Sequence, residues 1–201
     1  GEAFVLSRWW WRDRRISWAE IARHVEGKGL AEDRNQRKLS SSAEFFGRIP
    51  AYPTGAAVCE LEIDPDTGDV ALMRYAAVDD VGLAINPLIV EGQIHGGLAQ
   101  GLGQALCEGY ALDARSGQVL AGSYMDYRLP RAGLLPKLSI ELANDPTLGN
   151  RLGVKGGGES GITPATAATF NALADALSDY TREELPMPAT ALALWQVIHP
   201  E

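Results

Sequence analysis

GVKGGGESG, Gly153 to Gly161, is where the architecture of this 201-residue chain turns one way or another. Gly156, Gly158 and Gly161 satisfy the spacing G-x-G-x-x-G, which in a dinucleotide-binding fold needs a strand after the following helix, with an acidic residue near its end. After the predicted helix comes TREELPMPATALALW, Thr181 to Trp195, and no such strand appears. The phosphate-cradling loop needs Gly-Lys followed by Ser or Thr, whereas Lys155 precedes the triple glycine. Both nucleotide loops are therefore rejected. What remains is a glycine run that carries one carboxylate, Glu159, to a helix starting near Thr163 and Pro164. Missing side-chain bulk lets a flat or phosphorylated ligand approach the backbone, and a helix start offers unpaired N–H donors. A lone carboxylate there is a candidate general base. A turn whose glycines only permit positive φ is the plainer alternative.

Upstream, Asn86 and Pro87 supply an N-cap and first turn for a helix predicted over 87–108. Ile94, Leu98, Leu102 and Leu106 recur every four residues as an apolar ridge. Gln93, Gly97, Gln100, Gly101 and Gln104 fall on a different face. Two readings stay open for that face. In one, its glycines serve only to let another element pack closely; in the other, glutamine amides, which donate and accept, face a flat heteroaromatic that the glycines admit. His95 has no second ligand-type residue at suitable spacing, and no metal site is read from the chain.

From Ala57, Cys59, Leu61 and Ile63 alternate with Glu60 and Glu62, a half-buried strand. DPDTGD, Asp64 to Asp69, is a turn cluster too short for a calcium loop, and Val70 to Val78 returns as a second strand, giving an antiparallel hairpin. Ser17 and Glu20 form a capping box for a first helix, with Ile16 and Ile21 as its staple and Gly27 as its stop. Residues 31–47 read as loop, and 31–52 as a lobe boundary. Short strands and a turn at PRAGLLP are expected over 118–142, with Ser139, Ile140, Glu141 and Leu142 extended, and a last short helix after Pro188, carrying Leu192, Trp195 and Val197, closes the domain. Without regular βαβ periodicity, the fold class is α+β in two small lobes, with mixed short strands and packed helices.

In chain order, VDDVGLAINPLIVEGQIHGGLAQGLGQAL (Val78 to Leu106), SYMDYRLPRAGLLP (Ser123 to Pro136), GVKGGGESG and MPATALALW (Met187 to Trp195) resemble the C-terminal part of the molybdenum-binding large subunit of the xanthine dehydrogenase and aldehyde oxidase family, including its carbon monoxide dehydrogenase-like members. The resemblance covers roughly 53–198. Two prolines of the family pattern are replaced, by Arg151 and by Ala191, which bears on loop stiffness more than on chemistry. The resemblance implies a molybdenum–pterin cofactor, its dinucleotide form included, and Glu159 as the base beside it. Gln100, within AQGLG, matches a cofactor contact; Gln93, Gly97, Gly101, Lys155 and Gly158 complete the candidate cofactor-binding set. The reaction implied is oxidation of an aldehyde or N-heterocycle with water-derived oxygen.

The same resemblance makes residues 1–201 a C-terminal cofactor-binding domain, a fragment of a longer large subunit that is inactive alone. Its partners would be the upstream part of that subunit, iron–sulfur and FAD subunits or domains, and a second copy of the complete assembly. An isolated domain serving cofactor binding or assembly only is the rival reading.

Composition sets outer bounds. Hydrophobic content of 46% and charged content of 22% suit a globular protein that buries a core. No apolar run is long enough to span a bilayer, and the opening GEAFVLSRWWWRDRR has no signal-peptide core, so a cytoplasmic location is the expectation. Residues 1–50 carry +3 and the remainder −11. The basic, Trp-rich opening reads as a strand pair or partner contact, and the acidic body argues against nucleic acid. Cys59 and Cys107 form no C-x-x-C, so the chain cannot by itself hold a four-thiolate iron–sulfur cluster or a zinc ribbon, and the resemblance places both iron–sulfur and flavin groups outside this chain. Both cysteines read as buried small hydrophobes.

Overall fold

The computed structural model describes residues 3–8, 11–27, 44, 51–181 and 183–200. Contacts divide the chain into two compact units, Gly1–Phe46 and Gly47–Glu201.

In the first unit, β1 (Ala3–Arg8) and β2 (Trp11–Ser17) pair antiparallel, with Ala3 opposite Ser17, and lead into α1 (Trp18–Gly27). The basic opening is thus a strand pair. The helix starts on the capping box: Glu20 Oε2 accepts from the Ser17 backbone N–H at 2.7 Å, and Ser17 Oγ accepts from the Glu20 N–H at 3.2 Å. The side chain of His24 and the 31–43 and 45–47 parts of the expected loop lie outside the described residues.

The second unit is built on a three-stranded sheet. β3 (Thr54–Ile63) and β4 (Val70–Asp80) form the expected hairpin, closed by the turn in which Gly68 N–H donates to the Asp64 carbonyl at 2.7 Å. The chain then enters α2 (Pro87–Leu106), where the Asn86 side chain accepts from Ile89 N–H as N-cap. It returns as β5 (Lys137–Ala143), which lies parallel to β4 with Arg74 opposite Lys137 and Asp80 opposite Ala143. α3 (Ile162–Ala176) and α4 (Ala191–Ile198) complete the unit.

One face of the sheet is packed. Tyr75 and Ala77 of β4 meet Leu98 and Leu102 of α2 and Ala165 of α3, while Ala105, Leu106, Leu173, Leu177, Ala189 and Leu194 form a second cluster. The ridge Ile94, Leu98, Leu102 and Leu106 is buried along its length, each leucine stabilising the fold by about 1.5–3 kcal/mol through removal from water.

Three details differ from the sequence reading. Over 118–130 the chain holds turns and an isolated bridge, Leu112 to Val119, rather than short strands, while the extended stretch expected at Ser139 to Leu142 falls within β5. In α4 Leu194 is fully buried and Val197 packs partly buried against the same cluster, whereas Leu192 and Trp195 are exposed. Cys59 is half-buried, and only Cys107 is fully so.

The glycines of α2 divide by role. A Cβ on Gly97 would meet the Ile162 nitrogen at 2.7 Å, and one on Gly101 would meet the Ala165 Cβ at 2.5 Å. At the facing position, a Cβ on Gly161 would collide with the Ile94 carbonyl oxygen. These three let α3 start directly against α2. Gly92 and Gly96 lie exposed, and a Cβ at either would have nothing within 4 Å.

Candidate functional site

Glu159 sits at the C-terminal end of the glycine loop, and that loop is held at two places. At its start, Leu83 N–H donates to the Gly153 carbonyl at 2.9 Å and Lys155 N–H to the Val81 carbonyl at 2.8 Å, which sews the loop to the end of β4. Gly153 takes φ +67 there, a backbone state that side chains disfavour. Further along, Gly156 N–H reaches the Ala51 carbonyl at 3.2 Å. At its end, the Glu159 carbonyl accepts from Thr163 N–H (3.1 Å) and from Thr163 Oγ1 (2.9 Å), so the residue flows into the first turn of α3.

An ion pair fixes the same loop. Lys155 Nζ pairs with Asp80 Oδ2 and lies 3.5 Å from the Asp145 carboxylate; the Lys155 and Asp80 side chains are 12% and 11% exposed. Asp80 Oδ1 also accepts from Gly82 N–H at 2.9 Å and Asp145 N–H at 3.3 Å. The Lys155 ammonium, and then the Gly82 N–H, hold the Asp80 carboxyl below its ordinary range, while Asp80 in turn raises Lys155.

That arrangement has a pH signature. A carboxyl depressed in the folded state adds stability above the unfolded value, about pH 4, and loses it as pH falls through the depressed one. Lys155→Met, which leaves Asp80 buried without its cation, is expected to melt below the parent at pH 7, the gap narrowing in melts run at about pH 3.

Glu159 lines a cleft of about 280 Å³ together with Tyr52, Pro53, Thr54, Gly55, Asp79, Ser160, Thr163 and Pro164. Tyr52 to Gly55 lead into β3, Asp79 closes β4, and Ser160 to Pro164 open α3. Asp79 is 4% exposed and Ser160 6%, and Asp79 Oδ2 and Ser160 Oγ are both buried with no hydrogen-bond partner. Burial raises the Asp79 carboxyl above its ordinary range. A Cβ on Gly55 would stand 2.9 Å from Asp79 Oδ1, so a glycine is needed for that carboxyl to lie over β3.

Of the candidate catalytic and cofactor-binding residues named from the sequence, Glu159 alone lines this cleft. Gly158 is its chain neighbour and is open, with nothing within 4 Å of where a Cβ would stand; the same holds for Gly156. Gln93 and Gln100 are exposed and, seven residues apart with Gly96 between them, share one stripe of α2. Gly97 and Gly101 face α3, and the Lys155 side chain faces Asp80 and Asp145. The sequence reading missed Asp79 and Ser160. Asp79 had a signal: it follows Tyr75 and Ala77 at the two-residue period of the inward face. Among the described residues there is no group of three metal-ligating side chains, and no helix is long and apolar enough to cross a membrane.

Residues 2–136 match the model of the molybdopterin cofactor-binding domain. The nicotine 6-hydroxylase large subunit of Paenarthrobacter nicotinovorans is 40% identical over 141 residues, covering 70% of this chain and 17% of that protein. The carbon monoxide dehydrogenase large chain of Afipia carboxidovorans is 38% identical over 146 residues, covering 73% and 18%. Among solved structures, the Cu,Mo-CO dehydrogenase in its carbon monoxide reduced state superposes with a TM-score of 0.69 at 38% identity over 72% of this chain and 18% of that one. Quinoline 2-oxidoreductase from Pseudomonas putida 86 gives 0.66 at 36% identity over 70% and 18%. The chain spans about a fifth of the length of the curated relatives it matches. With the matched domain, these identities and a shared α+β fold, the chain belongs to the molybdopterin cofactor-binding domains of the carbon monoxide dehydrogenase and xanthine dehydrogenase family, whose cofactor is a molybdenum–pterin.

Proposed function

We propose that this chain is the C-terminal domain, residues 1–201, of a molybdenum hydroxylase large subunit, and that Glu159 is its general base in the oxidation of an aldehyde or N-heterocycle with oxygen drawn from water. The observation that carries this reading is the position of Glu159: an exposed carboxylate residue lining a cleft, on a loop secured to the end of β4 at one end and to α3 at the other. A base works through placement within hydrogen-bonding reach of the proton it takes.

The residues fit the cofactor. Gly156 and Gly158 leave the backbone beside Glu159 uncovered, so a flat ring system can lie against it. Gln93 and Gln100 present amide donors and acceptors on the exposed stripe of α2. Gly97 and Gly101 act indirectly in this reading, by seating α3, and Lys155 by holding the loop. When bound, the cofactor supplies the two-electron redox chemistry. The chain's own part is to hold the base, shape one wall of the pocket and accept a proton from the reacting water.

The upstream part of the subunit would close the pocket, and iron–sulfur and FAD partners would carry the electrons away, in a dimeric, cytoplasmic assembly that makes the isolated domain inactive. The test is Glu159→Gln in the complete enzyme, read as turnover beside molybdenum content; near-normal turnover would remove Glu159 from the chemistry. Gln100→Ala is expected to lower molybdenum and pterin content in the purified enzyme, and an unchanged content would return the stripe to packing.

A further inference from the structure

One carboxylate ties together three segments that meet at the start of the Glu159 loop. Asp80 closes β4, and its Oδ1 accepts from the Gly82 N–H at 2.9 Å and from the Asp145 N–H, just past β5, at 3.3 Å. Its Oδ2 pairs with Lys155 Nζ, directly before the triple glycine. Both side chains of that pair are largely buried, so solvent and salt screen it little, whereas the second carboxylate near the ammonium, Asp145, is exposed.

Between this junction and Glu159 lie Gly156, Gly157 and Gly158. Three successive glycines impose no backbone preference of their own, so the place of Glu159 is set from outside the run. The far anchor is the first turn of α3, where the Glu159 carbonyl accepts from Thr163. The near anchor is the junction. Lys155 N–H donates to the Val81 carbonyl and Leu83 N–H to the Gly153 carbonyl, and a Cβ on Gly157 would stand 3.1 Å from Val81 Cγ1. Val81, Gly82 and Leu83 follow Asp80 in the chain, so the carboxylate and these backbone bonds join the same two pieces of chain.

We infer that Asp80 is a positioning residue for the reaction: by holding Lys155 and the exit of β5 in one junction, it sets where the glycine run delivers the Glu159 carboxylate. This rests on the general-base reading of Glu159 and deepens it, since it assigns the placement of the base to a residue outside the cleft lining.

The experiment uses the complete enzyme and Asp80→Asn, which keeps an acceptor for the Gly82 and Asp145 amides and sets an amide N–H against the Lys155 ammonium. Hydrogen exchange is read first. The amides of Leu83, Lys155 and Gly156 are hydrogen-bonded in the parent. In the variant they are expected to exchange at least about tenfold faster while amides in the middle of α2 keep parental rates, the mark of a local opening. Turnover per bound molybdenum is then measured in a double-mutant cycle with Glu159→Gln, on an aldehyde or N-heterocycle that the parent oxidises. The expected fall in kcat for Asp80→Asn is about 10- to 100-fold, the scale on which a small misplacement of a reacting group costs rate. The double variant should be no slower than Glu159→Gln alone, because a base that has been removed cannot be misplaced. A merely structural loss would instead multiply with Glu159→Gln.

Parental exchange at the three amides, a parental kcat, or effects that multiply each overturn the inference. Should Asp80→Asn fail to fold, the same two measurements on Lys155→Gln, which leaves the Asp80 carboxylate on Gly82 and Asp145, decide; Lys155→Arg, which keeps the cation, should then restore most of the rate. Parental turnover in Glu159→Gln ends the general-base reading and this inference with it, whereas the outcomes above end the inference alone, so the two failures are distinguishable.

Discussion

Glu159→Gln in the complete enzyme is expected to retain its molybdenum and to lose turnover by about 10²- to 10⁴-fold, the range a positioned base commonly contributes. The amide preserves shape and length but cannot take a proton. The Glu159 side chain makes no hydrogen bond that holds the fold: the bonds at this residue come from its carbonyl, to Thr163. Loop geometry should therefore survive, and metal analysis with a thermal melt should match the parent while steady-state rates fall. A matching fall in molybdenum content would instead mark Glu159 as a residue of cofactor retention.

Gly161→Ala is expected to be the most damaging single-methyl change near the cleft. Its φ of −70 suits any residue, so the cost is purely steric. The added carbon collides with the Ile94 carbonyl oxygen, a backbone atom in a helix that cannot swing aside. Overpacking of this kind costs typically about 1–3 kcal/mol, or several degrees in Tm for a domain of this size. Because α3 would have to lift from α2, Glu159, two residues before, moves with it, and turnover should fall together with Tm. Gly96→Ala is the control for stability alone, read as Tm, because Gly96 stands on the stripe proposed for the cofactor. It adds the same methyl where nothing lies within 4 Å and should stabilise α2 by up to about 1 kcal/mol through helix propensity. A Gly161→Ala protein with parental Tm and turnover would show that the helices can separate without consequence.

Local chemistry was readable in the sequence; long-range partnership was not. The Ser17–Glu20 box, the Asn86 cap, the Asp64–Asp69 turn and the ridge from Ile94 to Leu106 each declare themselves within a few residues, because caps and periodicities are local. The parallel seat of β5 was invisible, since Leu138, Ile140 and Leu142 alternate alike whichever strand they join. Lys155 finds Asp80 across 75 residues, and no spacing announces that. For the glycines of α2, sequence offered close packing and ligand approach equally; in the fold Gly97 lies against Gly161 and Ile162, and Gly101 against Ala165. Within the cleft, Glu159 stood out as a lone carboxylate in glycine. Asp79 was hidden by its neighbour, since two successive aspartates read as a strand end when one of them points inward.

The parallel joint between β4 and β5 also sets an order of events during folding. The β3–β4 hairpin closes over a short turn, whereas Arg74 meets Lys137 only after the chain has run through α2 and the segment behind it. Contacts so distant along the chain form slowly compared with hairpins and single helices. The Glu159 loop docks on Val81, just past the strand on which β5 lands, and its far end needs α3 seated on α2. The carboxylate is thus among the last groups to reach its place. A chain whose β3–β4 hairpin has paired therefore still lacks the Glu159 cleft until α3 is seated on α2.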